Sequence, residues 1–96
     1  MEVKKFKSEQ KLQKEIIDYL ESKGAFVVKT ITTNKSGCPD LLVCYKSIFV
    51  AIEVKAPGKL GNVTAIQQAQ LQKIKEAGGK ALLVDSLEAI EGVINV

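Results

Sequence analysis

The chain has 96 residues, a net charge of +3 and 46% hydrophobic residues, which is the composition of a globular domain rather than a disordered segment. A domain this short buries only about 60–65% of its unfolded surface, so contact with a second subunit would add stability. The chain contains no histidine. Histidine-based nucleases, Ser-His-Asp hydrolases and zinc sites with histidine ligands are therefore excluded, and any catalysis has to use carboxylates, lysine and a hard metal ion.

The predicted location is the cytoplasm. No apolar stretch approaches the roughly 18 residues of a membrane span, and the sequence opens on charged residues rather than on a signal peptide, so we expect no membrane association. Cys38 and Cys44 are accordingly expected to be free thiols. Lysines cluster near the N-terminus, which suits either an anionic partner or a solvated helix end.

Apolar periodicity and turn residues predict seven elements in the order αβββαβα. In chain order they are a helix capped by Ser8 and ended by Gly24, a strand at 25–32, strands at 40–45 and 48–55, a helix at 64–77, a strand at 80–84 and a helix at 87–91 capped by Ser86. A polar loop at 33–39 separates the first two strands. The predicted fold is a single α/β domain over residues 1–96, with a mixed sheet flanked by helices.

The second and third strands form a predicted hairpin around Lys46-Ser47. A turn centred on these two residues places Asp40 directly opposite Glu53. Directly opposed residues point to one face of a sheet, with Cβ atoms about 4.5–5.5 Å apart. Two carboxylates in that position repel unless a cation or a shared proton offsets the repulsion. Lys55 lies two residues beyond Glu53 and faces the same way. A turn of odd length would break this register.

The first helix adds a third acidic residue. Glu9 falls in the middle of the apolar stripe that must face the sheet, whereas Glu15 lies on its margin. Carboxylate oxygens from Glu9, Asp40 and Glu53 suit Mg²⁺ or Mn²⁺. A metal held in this way polarises a phosphate oxygen and activates a water, while Lys55 holds that water or neutralises charge on phosphorus. These residue types predict phosphodiester hydrolysis.

The motifs that carry these residues resemble a known superfamily. Gly37-Cys38-Pro39-Asp40 followed by Glu53-Val54-Lys55 is similar to the PD-(D/E)xK nucleases. The closer resemblance is to the virus-type replication-repair nuclease domain, VRR-NUC, in its short stand-alone form. Ser8-Glu9, the Gly-x-Pro-Asp run, the Glu-x-Lys-Ala-Pro-Gly run at 53–58 and Gln67 match that family in order, over about residues 8–88.

The resemblance implies a restriction-endonuclease-like αβββαβ(α) core and a Mg²⁺-dependent DNA endonuclease, with Mn²⁺ able to substitute and no organic cofactor. It implies that the metal ligands are Asp40, Glu53, the backbone carbonyl of Val54 and, directly or through water, Glu9. Lys55 would be the catalytic lysine, and Asp40, Glu53 and Gln67 would also be catalytic. Stand-alone members resemble Holliday-junction resolvases, which implies a homodimer that cuts branched DNA in a bacterial cell or a phage-infected host.

Two positions depart from the family pattern. Cys38 stands where an aliphatic or larger residue is more frequent, and Ala65 where proline is frequent. Neither belongs to the ligand set, so they bear on substrate choice rather than on chemistry.

Each site residue also has an ordinary structural interpretation. Glu9 fits a first-turn acid favoured by the helix dipole. Asp40 fits a turn residue after a proline, and Glu53 with Lys55 fits an ion pair at a strand end. Thr64-x-x-Gln67 is a capping box, so Gln67 is a cap, a site residue or both. Leu71, Ile74 and residues 82–84 are assigned to the core alone.

Five lysines are expected to contact phosphates without reading bases: Lys4, Lys5, Lys7, Lys29 and Lys35. The alternative function is a non-catalytic nucleic-acid-binding module on a degenerate nuclease fold. The complete set of three acids and one lysine counts against it. A sequence-specific restriction enzyme would need a recognition domain for which the chain is too short. The apolar segment at 92–96 has no predicted core to join, which also favours a homodimer.

Overall fold

A computed structural model describes residues 8–94 of the chain, except for the side chain of Ile94. In chain order these residues form α1 (Glu9–Ser22), β1 (Phe26–Lys29), β2 (Leu41–Tyr45), β3 (Ile48–Val54), α2 (Ala65–Glu76), β4 (Lys80–Val84) and α3 (Leu87–Ile94). The predicted αβββαβα order is confirmed, with one added 3₁₀ turn at Leu60–Asn62. Within residues 8–94, no helix is long and apolar enough to cross a lipid bilayer.

The strands form one mixed sheet in the order β1-β2-β3-β4. The pairs β1–β2 and β2–β3 are antiparallel, and β3–β4 is parallel. Lys46 and Ser47 join β2 to β3 with φ angles of 48° and 69°. Positive φ at both central residues is the geometry of a type I′ turn, whose twist matches that of the strands it joins. Tyr45 pairs with Ile48, so the predicted register is confirmed.

The main core lies on one face of the sheet, under α1 and α3. It is formed by side chains that are buried together: Leu12, Ile16, Leu20, Ala25, Leu41, Val43, Val50, Ile52, Val54, Val84 and Ile90. Because side chains alternate along a strand, the intervening residues of β2 and β3 point to the opposite face, over which α2 packs. The two faces of the sheet therefore have different neighbours.

The three predicted helix caps are confirmed. Ser8 Oγ accepts the N–H of Lys11 at 3.0 Å, and Ser86 Oγ accepts the N–H of Ala89 at 3.3 Å. At the start of α2, Thr64 and Gln67 form a reciprocal capping box. The Thr64 N–H donates to Gln67 Oε1 with an N···O distance of 2.9 Å, and the Gln67 N–H donates to Thr64 Oγ1 at 3.1 Å. Each of these bonds satisfies a backbone donor that the helix itself leaves unpaired.

The first strand is shorter than predicted. Strand β1 ends at Lys29, although the β-branched run predicted a strand to residue 32. Ladder hydrogen bonding stops with the N–H of Thr30, which donates to the carbonyl of Asp40 at 2.8 Å. The next residue opposite the strand is Pro39, which has no N–H to donate, so residues 31–36 leave the sheet and are exposed.

The end of the chain also differs from the prediction. Helix α3 continues to Ile94 instead of ending at residue 91. Ile90 is fully buried in the main core, and Val93 is half-buried. The segment at 92–96 was predicted to have no core to join. Its described part instead extends α3, which packs into the main core through Ile90. Residues 95 and 96 lie outside the described part of the chain.

The loop over residues 31–39 packs against α2 and is hydrogen-bonded to it. Gly37 has a φ of 74°, and a Cβ atom built there would meet three atoms of Ile66 at 3.1 Å. Beside it, the side-chain nitrogen of Gln70 donates to the carbonyl of Ser36 at 2.8 Å. The close approach of the loop to α2 therefore requires a residue without a side chain at position 37.

We expect Gly37→Ala to lower the free energy of unfolding by about 1–2 kcal/mol from the left-handed backbone alone, with a further cost from the contact with Ile66. Gly61→Ala is the matched control, because its added Cβ meets nothing within 4 Å. Urea denaturation of both variants measures the difference. Equal stabilities would show that the loop shifts freely away from α2.

Candidate active site

Asp40 and Glu53 lie side by side on the face of the sheet that carries α2. The register of the hairpin, extended by one residue beyond the Leu41–Ile52 pair, sets them opposite each other. Asp40 Oδ2 accepts the backbone N–H of Val54 at 2.8 Å. That bond ties the Asp40 carboxylate to the neighbouring strand and keeps it next to Glu53.

Glu53 and Lys55 are buried although both carry ionisable groups. Glu53 is 2% exposed and Lys55 is 8% exposed. Lys55 Nζ lies 3.4 Å from Glu53 Oε2. The other carboxylate oxygen, Oε1, is buried with no hydrogen-bond partner among residues 8–94. A buried polar atom without a partner is costly, so this oxygen marks a position where a ligand would be stabilising.

The protonation of Glu53 reflects this environment. Burial raises the pKa of Glu53 from 4.5 to about 7, and the neighbouring Asp40 carboxylate contributes to the increase. The Lys55 ammonium group acts in the opposite direction but does not offset the other two effects. Near neutral pH, Lys55 therefore offsets only part of the cost of ionising Glu53 beside Asp40, and a bound cation would favour the ionised form of Glu53.

These donors fit a hard divalent metal ion. Two adjacent carboxylates supply oxygen ligands, one of them with an oxygen atom that has no protein partner. Mg²⁺ binds one or two carboxylates and keeps several waters, so it does not require a complete cage of protein ligands. The donor set is compatible with the predicted Mg²⁺ or Mn²⁺.

Glu9 is not brought into this pair. Glu9 is the first residue of α1, which packs on the core face of the sheet, opposite the face of Asp40 and Glu53. In the described part of the chain, no three His, Cys, Asp or Glu side chains are grouped to hold a metal ion. The sequence placed Glu9 toward the sheet but did not distinguish the two faces. A ligand role for Glu9, direct or through water, stays a prediction.

Two other predicted site residues have observed structural roles. The Gln67 side chain is half-buried, and its oxygen accepts the N–H of Thr64, so the capping role is confirmed while a catalytic role stays a prediction. Val54 is fully buried and its N–H is used by Asp40. Coordination of a metal by its carbonyl also stays a prediction.

A polar cleft of about 430 Å³ leads to Asp40. It is lined by the following residues: Thr30, Ile31, Thr32, Thr33, Lys35, Gly37, Cys38 and Asp40. Of the predicted phosphate-binding lysines, Lys35 is exposed and lines this cleft. Lys29, at the end of β1, is also exposed but does not line the cleft. The predicted contacts of Lys4, Lys5 and Lys7 lie outside the described residues. Both cysteines are free, as predicted.

Two residues of structural interest were missed in the sequence. The Thr30 hydroxyl donates to the carbonyl of Pro39 at 2.9 Å and closes the base of the 31–39 loop. Gln13 is 4% exposed on α1, and its side-chain oxygen has no partner among the described residues. A polar residue beside the apolar stripe of α1 was the available signal for Gln13. For Thr30 the sequence offered none, because it lies inside a β-branched run.

Comparison with known proteins gives a consistent result. A family model, the VRR-NUC domain, matches residues 1–87. A solved structure described as a VRR_NUC domain aligns with a TM-score of 0.74 and 26% identity, covering 91% of this chain and 94% of that chain. Another, a VRR_NUC domain protein, has a TM-score of 0.75 at 18% identity, covers 95% and 88%, and shows the shared fold alone. A search of curated proteins gave no match.

In the absence of divalent metal, we expect Glu53 to make the protein less stable as pH rises from about 4.5 to about 7. Its folded pKa lies above its unfolded value, so within this window the folded state keeps a proton that the unfolded state releases. Glu53→Gln should flatten this dependence by on the order of 1–3 kcal/mol.

The measurement is urea denaturation in EDTA at several pH values across that window. Glu21→Gln is the control, since Glu21 is an exposed acid on α1. If the parent and Glu53→Gln showed the same pH dependence, the raised pKa of Glu53 would be excluded.

Proposed function

The chain belongs to the VRR-NUC family of nuclease domains, and from that premise we propose that it is a metal-dependent DNA endonuclease that hydrolyses phosphodiester bonds. The observation that carries the proposal is the group formed by buried Glu53, buried Lys55 and half-buried Asp40, in which one oxygen of the Glu53 carboxylate has no partner among the described residues. Two like charges held side by side, one of them buried, destabilise a protein unless a ligand or a proton offsets their repulsion.

The proposed cofactor is Mg²⁺, with Mn²⁺ expected to substitute. Asp40 and Glu53 would hold the ion, with the Val54 carbonyl and Glu9 as further proposed ligands. When bound, such an ion supplies Lewis-acid stabilisation of a phosphate and activation of water. Ionised Glu53 is required for binding, and its raised pKa makes this step sensitive to pH near neutrality.

The protein's own groups orient the reaction. The Val54 N–H holds the Asp40 carboxylate in one orientation, so that this ligand does not have to be ordered when DNA arrives. Lys55 is restrained by burial and by its contact with Glu53. From that position the ammonium group would donate to the attacking water or to a phosphate oxygen whose charge increases during the reaction.

The proposed substrate is DNA with a branch, a four-way junction being the first choice. Lys35 at the polar cleft and Lys29 at the end of β1 would contact phosphates, together with Lys4, Lys5 and Lys7. Contacts to the backbone position a protein without reading sequence, so selectivity would come from the shape of the DNA. We expect only a mild sequence preference.

A homodimer is proposed from the uncovered part of the α2 face. Phe26, Cys44 and Phe49 occupy one row across β1, β2 and β3, and Phe26 is 70% exposed. Val28 in the next row of the same face is exposed as well. An apolar surface of this kind on a small domain is typical of a subunit contact. A two-fold dimer would present two active sites to the two strands of a junction.

We expect Asp40→Asn, Glu53→Gln and Lys55→Met each to lower the rate of junction cleavage in Mg²⁺ by at least about 100-fold. Asp40→Asn keeps an oxygen for the Val54 N–H and removes repulsion, so its melting temperature in EDTA should equal or exceed that of the parent. Asp40→Ala leaves that N–H unpaired, which costs about 1–3 kcal/mol. Cleavage of a labelled junction and thermal melting provide both readouts.

Asp18→Asn, a change of the same kind on the exposed side of α1, is the control and should cut normally. Unchanged cleavage in all three site variants would refute the assignment. A parent protein that binds the junction but does not cut it in either metal would instead favour the non-catalytic binding module.

We expect Phe26→Asp to convert a dimer into a monomer, because a buried unpaired carboxylate at the contact is strongly unfavourable. Leu60→Asp, at an exposed apolar residue of the 3₁₀ turn, is the control and should remain dimeric. Light scattering at micromolar concentration gives the mass. A monomeric parent, or equal cutting of junction and linear duplex, would reject the dimer and the branch preference while leaving the nuclease assignment in place.

A further inference from the structure

A cavity of about 180 Å³ lies between α2 and the 31–39 loop. Its apolar walls are the side chains of Cys38, Pro39, Ile74 and Ala77. We call these four residues the base slot. Gln70, whose side chain is bonded to the carbonyl of Ser36, also lines the cavity and holds the loop in place beside it. The proposed metal ligands do not line it.

We infer that the base slot accepts one pyrimidine base that has left the stack of the DNA strand at the cut. This inference rests on the proposed function, of which it specifies the substrate. A dry apolar cavity on the order of 150 Å³ holds one benzene ring. A volume of about 180 Å³ therefore suits a single six-membered aromatic ring.

The base slot is adjacent to the proposed catalytic group. Lys35 and Cys38 line both the slot and the polar cleft that leads to Asp40. Cys38 is two residues from Asp40, so their Cα atoms are at most about 7 Å apart. A DNA strand advances about 3.4 Å per nucleotide along a duplex. The base that enters the slot therefore belongs to a nucleotide one or two positions from the phosphate at Asp40.

The charges around the slot favour a nucleotide over a protein segment. Lys35 and Lys73 line it, and both are exposed. An apolar peptide or a second copy of this surface would bring two ammonium groups into a contact without supplying partners for them. A nucleotide supplies an apolar ring for the slot and phosphates for the lysines.

One exposed residue complements the slot. Ile31 is 91% exposed and lines the polar cleft among threonines, where it has no part in the core. Apolar side chains that enter the stack between bases fill the gap that an unstacked base leaves. A base that is already unpaired leaves the stack more readily than a paired one. The combination of Ile31 and the base slot therefore provides a physical reason for selecting a branch.

The experiment removes one base at a time from a labelled four-way junction. Each nucleotide near the mapped cut, or near the branch point if the parent chain binds without cutting, is replaced by an abasic nucleotide that keeps its phosphate. Binding to the full-length Asp40→Asn chain is measured by fluorescence anisotropy. At one pyrimidine position we expect affinity to fall about tenfold, within the range of a stacked base.

A larger side chain that fills the base slot should remove the loss of affinity caused by the abasic nucleotide. Ala77→Leu, added to Asp40→Asn, should weaken binding of the intact junction by about tenfold and abolish the further loss on removing the base. Ala69→Leu makes the same change at an exposed position of α2 that does not line the slot, and should preserve both values. Ile31→Ser should reduce the effect of the abasic nucleotide without changing the mass of the protein in solution.

A change below about twofold at every abasic position, or an unchanged loss in Ala77→Leu, would overturn the inference. If the parent chain still cuts the junction in that case, the proposed nuclease stands and the base slot alone is wrong. If the parent chain neither binds nor cuts branched DNA, both proposals fail together.

Discussion

The two-residue turn at Lys46-Ser47 fixes the register of β2 and β3, and the position of the charged group depends on that register. With both turn residues at positive φ, Tyr45 pairs with Ile48, and Asp40 is set opposite Glu53 at the far end of the hairpin. A slip of one residue would move Glu53 to the core face and one of its apolar neighbours to the site. A two-residue turn thus determines which side chains meet at the other end of the two strands, where the catalytic group is proposed.

The apolar core and the proposed active site lie on opposite faces of the sheet. One face is covered by α1 and α3 and buries a cluster of aliphatic side chains, and burial of this apolar surface stabilises the domain. The other face carries the carboxylates, an ion pair with Lys55 and an exposed row formed by Phe26, Cys44 and Phe49. Because burial beside Asp40 raises the pKa of Glu53 to about 7, we expect the metal-free protein to lose stability as pH approaches neutrality, whereas the separate apolar core is independent of this titration.

The 31–39 loop lines both the polar cleft at Asp40 and the base slot. The contact of Gly37 with Ile66 and the bond from Gln70 to Ser36 hold the loop on α2, so the polar cleft and the base slot are present before any ligand binds. A preformed site does not have to order a loop on binding, which leaves more of the interaction energy for recognition.

The sequence by itself determined the features that depend on neighbouring residues: the order of the elements, the three caps, the hairpin register and the pairing of Asp40 with Glu53. Tertiary structure decided which surfaces meet. Strand β1 ends at Lys29, because two residues further on the chain would face Pro39, which has no N–H to donate. The helix that begins at Glu9 packs on the face of the sheet opposite Asp40 and Glu53. Periodicity identifies the buried side of a helix, but the strand face that it covers depends on contacts between residues far apart in the chain. The base slot belongs to the same class of feature, since Cys38 and Ile74 meet only after the loop has docked on α2.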